Sequence, residues 1–103
     1  EAGGVEGAQI KVLEDFRARF KSKFGMDVLL YAPYVYDATM TMVAAMQKAD
    51  STDPKKYLPE LARIKYEGVT GTIAFDPKGD IRNGALTLYT FKGGKREAMR
   101  VVR

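Results

Sequence analysis

The sequence predicts an α/β fold in which three helices are followed by a small antiparallel β element. Apolar residues recur at spacings of three and four through the first two thirds of the chain, which is helical spacing. After Gly68 the period shortens to two, which is strand spacing. Each change of element falls on glycine or proline, the residues that punctuate local structure. With 103 residues there is room for one domain with a single core.

Residues 1–7, with Gly3, Gly4 and Gly7, read as a flexible lead-in. Ile10, Leu13, Phe16, Phe20 and Phe24 then form the apolar stripe of a helix over about 9–24, leaving Lys and Arg on the other side. Gly25 is a natural C-cap. Residues 26–32 are a short apolar linker, and Pro33 suits the first turn of a second helix over about 33–49. That helix is apolar on more than one side. Val35, Ala38, Met42, Ala45 and Ala49 make one stripe, and Tyr36, Met40 and Val43 another, which predicts burial between other elements.

Ser51-Thr52-Asp53-Pro54 is a helix-start signal, so a third helix is expected over about 54–64 with Tyr57, Leu58, Leu61 and Ile64 inward. Pro59 predicts that its regular part begins only near Leu58. Strands are expected over about 70–75, 85–91 and 97–102. Asp76-Pro77-Lys78-Gly79-Asp80 supplies a turn between the first two, and Lys92-Gly93-Gly94-Lys95 a hairpin loop between the last two.

Composition removes whole classes of chemistry. Without Cys there is no disulfide framework, thiol nucleophile or thiolate metal site, and without His there is no Ser-His-Asp triad. No apolar stretch is long enough to span a bilayer, and no basic-then-apolar leader opens the chain. Seventeen Lys and Arg against thirteen Asp and Glu give a formal charge of +4. The closest basic cluster, Lys11, Arg17, Arg19, Lys21 and Lys23, is scattered around one helix and reads as a solvated face.

Candidate sites are few. Asp76 and Asp80 imitate half of a calcium loop but lack its spacing and closing Glu, so a turn held by Asx hydrogen bonds is the simpler reading. Gly93-Gly94 lies between strands, not between a strand and a helix, which favours a hairpin over a phosphate cradle. Asp37, near the start of a buried helix, reads either as an acid or base in a pocket or as a carboxylate favoured by the helix N-terminus. Tyr31, Tyr34 and Tyr36 offer flat apolar faces with a hydroxyl, suited to core packing or to capture of a small aliphatic ligand.

Several motifs carry a resemblance: Phe20-Lys21-Ser22-Lys23-Phe24-Gly25, Tyr31-Ala32-Pro33-Tyr34-Val35-Tyr36-Asp37-Ala38, Asp53-Pro54-Lys55-Lys56-Tyr57-Leu58-Pro59, the run from Gly68 to Asp80, and Gly84-Ala85-Leu86-Thr87-Leu88-Tyr89. In this order the chain resembles the C-terminal part of the periplasmic leucine/isoleucine/valine-binding proteins of ABC importers, from about residue 14 to the end. The resemblance implies part of a two-lobed fold, no catalysis and no cofactor or metal. It implies a branched-chain or related amino acid bound in the interlobe cleft, an ABC importer permease as partner, and a periplasmic location, with neither nucleic-acid binding nor membrane insertion. It places Tyr31 against the ligand, with Ala32 and Tyr34 beside it, and makes Ala74, Phe75 and Asp76 hinge positions. The family's groups for the ligand's α-amino and carboxylate ends lie mostly upstream of this chain. Val5-Glu6-Gly7-Ala8 resembles a family strand that a loop and hinge normally follow, whereas here the helical pattern starts at once. Read from charge alone, a basic module binding nucleic acid is the alternative, and so is a fragment that self-associates through its strand edges.

Overall fold

The structure, a computed structural model, describes residues 7–103; residues 1–6 of the lead-in read over 1–7, and with them the first half of the family-like strand read over 5–8, lie outside the described residues, while Ala8 of that strand opens a helix. Helix α1 (Ala8–Phe24) buries Leu13 and Phe16 from its apolar stripe. Ile10 and Phe24, expected on the same stripe, stay exposed. Its polar side is locally offset: Arg17 pairs with Glu14, Arg19 with Asp15, and Lys21 with Asp27. Such exposed pairs are each worth under about 1 kcal/mol, so they solvate the face more than they stabilise it.

Helix α2 (Ala32–Ala49) starts with Pro33 in its first turn and buries Pro33, Asp37, Thr41 and Ala45, one residue per turn. This departs from the two apolar stripes expected inside. Val35 is 61% exposed and Tyr36 39%, and Val43 is also exposed. The helix turns a partly polar face inward because that face is satisfied. The Thr41 hydroxyl donates to the Asp37 carbonyl at 2.7 Å, and Asp37 finds donors on another element. Among the described residues, no buried side-chain nitrogen or oxygen lacks a partner, so the usual cost of burying polar groups is met. Tyr36 sits at the margin of the core with its ring 5.0 Å from that of Phe16.

Helix α3 (Pro54–Ala62) is capped by Asp53, whose carboxylate accepts the Lys55 N–H at 3.0 Å. It runs unbroken through Pro59, contrary to the expected late start. Lys55, whose carbonyl Pro59 leaves unbonded, is exposed, so water is available to that group. The helix stops before Ile64 because the Arg63 and Ile64 N–H groups reach back only three residues, to Glu60 and Leu61, and this tightened turn swings Ile64 into the core. Leu58, expected inward, is 55% exposed.

Among the described residues, the β portion comprises two separate two-stranded antiparallel sheets. In the first, β1 (Lys65–Glu67) pairs with β2 (Thr72–Ala74), Lys65 opposite Ala74 and Glu67 opposite Thr72. β1 was not among the expected strands, since three residues are too few to display a period. Thr70 and Gly71, expected in the following strand, instead belong to a loop closed by the Gly68 N–H on the Gly71 carbonyl at 2.9 Å. After Phe75, which bridges Ile81, the Asp76 carboxylate accepts the N–H groups of Lys78 and Asp80, an Asx-held turn. In the second sheet, β3 (Leu86–Lys92) pairs with β4 (Lys95–Val102). Gly93 and Gly94 connect them with φ of 56° and 75°. A two-residue turn with both φ positive is the form that matches strand twist, and it starts β4 two residues earlier than expected.

The buried apolar core is small: Leu13, Phe16, Ala45, Ile64, Val69 and Ile73. The radius of gyration is 15.9 Å, against about 13 Å for a compact domain of this length. The molecule is therefore elongated, and its stability leans on a few contacts between elements. Replacing Asp53 with Ala should lower the unfolding free energy by about 1 kcal/mol through loss of the α3 cap. Urea denaturation followed by circular dichroism checks this, and an unshifted midpoint would refute it.

Candidate ligand-binding groove

Two helices and a hairpin loop enclose the most distinctive local chemistry. Asp37, on the second turn of α2, is 2% exposed. Its carboxylate accepts the Val69 N–H at 2.8 Å, the Thr70 N–H at 2.9 Å and the Thr70 hydroxyl. From the other side, the Gln9 side-chain amide of α1 donates to the carbonyls of Gly68 and Val69, both at 2.9 Å. The 68–70 loop is thus gripped by both helices. Gly68 is required by the close approach: a Cβ there would lie 2.4 Å from an Asp37 carboxylate oxygen.

Neither sequence reading of Asp37 describes this arrangement. The carboxylate does not serve the N–H groups of its own helix, and with three donors converging on it, it is a tether and not a group poised for proton transfer. Val69 and Thr70 were not anticipated as its donors, nor Gln9 as the second grip on the same loop. The available signal was weak: one acid inside an apolar helix, and a Thr between two glycines far along the chain.

Beside this tether opens a groove of about 1000 Å³. Tyr34, Met42, Ile73, Phe75, Ile81 and Arg82 are among its lining residues. An apolar lining with a few polar groups suits a small molecule carrying an aliphatic part. The candidate residues divide around it. Tyr34, Ala74 and Phe75 line the groove, whereas Tyr31, Ala32 and Asp76 do not. Tyr31 is 73% exposed at the N-cap of α2, and Ala32 is half-buried next to it. Asp76 borders a smaller hollow with Leu58 and Pro77. Arg82 ties the hinge candidates down: its N–H donates to the Ala74 carbonyl and its Nε to that of Phe75, both at 2.8 Å. Among the described residues, no group of three His, Cys, Asp or Glu side chains is placed to hold a metal, and no helix is long and apolar enough to cross a membrane.

Known proteins share this arrangement of elements. The family model described as periplasmic binding protein matches residues 11–96. Over 78 residues the chain is 31% identical to the leucine-, isoleucine-, valine-, threonine- and alanine-binding protein of Pseudomonas aeruginosa, a match taking in 76% of this chain and 20% of that protein. An ABC transporter substrate-binding protein of Desulfitobacterium hafniense, solved in complex with Leu, is 30% identical with a TM-score of 0.71, over 86% of this chain and 27% of that one. A leucine-binding protein of Thermotoga maritima has the same fold, with a TM-score of 0.74 at 23% identity over 99% of this chain and 28% of that one. The chain therefore spans between a fifth and just over a quarter of the length of these relatives.

The tether makes a sharp prediction. Asp37→Ala leaves two backbone N–H groups without their acceptor at a cost of about 1–3 kcal/mol each, and Gly68→Ala forces an overpacked contact costing about 1–3 kcal/mol. Urea melts should show both losses, with Asp37→Ala the larger; wild-type stability in either variant would contradict the geometry.

Proposed function

We propose that this chain, which belongs to the periplasmic binding protein family, is the C-terminal part of an amino-acid-binding protein that captures leucine, isoleucine, valine or a similar small amino acid between two lobes. The protein delivers that ligand in the periplasm to the permease of an ABC importer and catalyses no reaction. The observation that carries the reading is the 31% identity, over three quarters of the chain, to a relative named for binding five small amino acids. The leucine complex of the Desulfitobacterium relative supports it.

On this reading the mechanism is closure around a ligand. Contacts from both lobes stabilise the closed form by the difference in affinity between the two states, and no covalent step is needed. Tyr31, presented at the entrance to α2, offers its ring to the aliphatic side chain of the amino acid. Tyr34, one turn further on, lies toward the groove. Ala74, Phe75 and Asp76 form the hinge, bounded by the Arg82 hydrogen bonds on one side and the Asx turn on the other.

Calorimetric titration of the full-length protein with leucine, isoleucine and valine tests the ligand class, and absence of heat with these and with alanine and threonine would overturn it. Tyr31→Ala should weaken binding at least about fivefold, the equivalent of roughly 1 kcal/mol of lost apolar contact. An unchanged affinity would remove Tyr31 from the site.

A further inference from the structure

The Asp37 tether lies between the two parts of the molecule that ligand binding would use. On α2, Asp37 stands one turn beyond Tyr34, and on its buried stripe it follows Pro33 by one turn. The first turn of α2 therefore cannot tilt without straining the Asp37 hydrogen bonds. On the other side, Thr70 is separated from Ala74 only by Gly71, Thr72 and Ile73, most of them in a strand paired to β1. Beyond β2, Phe75 bridges Ile81, and Arg82 holds the carbonyls of Ala74 and Phe75. A continuous path of bonded and hydrogen-bonded residues thus runs from the first turn of α2 to the hinge candidates, and the contact of the Asp37 side chain with Val69 and Thr70 is the link that joins α2 to it.

We infer that Asp37 is a positioning residue for the amino-acid ligand, holding the α2 entrance that carries Tyr31 and Tyr34 in fixed register with the hinge segment through Val69 and Thr70. This rests on the reading of the chain as part of an amino-acid-binding protein. Asp37 touches no ligand; it acts by setting where the tyrosines stand when the lobes close. Thr70 is its partner in that role, since its backbone N–H and its hydroxyl both end on the same carboxylate oxygen.

The test separates positioning from mere stability. In the full-length protein, Thr70→Val removes one donor with little change of shape, Thr70→Ser keeps the hydroxyl, and Leu13→Ala weakens the core on α1, an element outside the path. All are titrated with leucine well below their melting temperatures, because an unfolded fraction would scale the apparent Kd by itself. Thr70→Val should raise Kd between about twofold and thirtyfold, the range of residues that modulate a site they do not touch. Thr70→Ser should restore it, and Leu13→Ala should lower the melting temperature with Kd unmoved. Asp37→Asn should exceed Thr70→Val; where it does not fold, the Thr70 pair decides. A wild-type Kd in Thr70→Val alongside a lowered melting temperature would overturn the inference and leave the proposed function standing, and so would failure of Thr70→Ser to restore binding. Absence of amino-acid binding by the wild-type protein would overturn both, and it shows before any variant is made.

Discussion

The structure depends on one buried carboxylate. Taking an Asp out of water is costly unless hydrogen bonds replace its hydration. Asp37 recovers three, all from two consecutive residues of a loop 32 and 33 positions away. Those bonds hold the β1–β2 hairpin on α2, and Gln9 holds the same loop to α1. With a buried hydrophobic core of only six side chains among the described residues, hydrophobic packing leaves much of the relative placement of these elements to polar contacts. A non-directional force gathers the helices, and the directional bonds at residues 68–70 set their register.

The same carboxylate explains the unusual facing of α2. A helix normally turns its greasiest side inward. Here the stripe through Asp37 and Thr41 is buried instead, and Val35, Tyr36 and Val43 remain accessible. Once a helix must deliver a charge to a loop, its rotation about its own axis is fixed by that bond, and the apolar residues take whatever directions remain. The two tyrosines at the start of α2 are consequently separated, Tyr34 toward the groove and Tyr31 outward at the helix entrance.

Much of the fold was legible because its boundaries are local chemistry. The Asp53-Pro54 helix start, the glycine that ends α1 and the Gly93-Gly94 turn each act within a few residues, and each appears in the structure at its place in the sequence. Periodicity located the helices well but misjudged the rotation of α2, because hydropathy ranks Asp37 as an outward residue whatever donors await it. β1 escaped notice since Lys65, Tyr66 and Glu67 become a strand only when β2 pairs with them. The site was less legible still. Tyr31 was singled out by family resemblance and not by any property of its neighbours. The groove exists only where α2, the hairpin and residues 81–85 meet in space.

Gly68 carries the last consequence, for how such a sequence is free to change. Any side chain at position 68 would press into the Asp37 carboxylate, so drift at 68 is open only after Asp37 has given way to something smaller. That first step, however, forfeits every bond by which α2 seats the loop. The two positions therefore behave as a single heritable unit. Asp37 thereby limits what position 68 can hold, and a path of single substitutions away from the Asp–Gly pair passes through a chain in which Gln9 of α1 alone grips the 68–70 loop by its side chain.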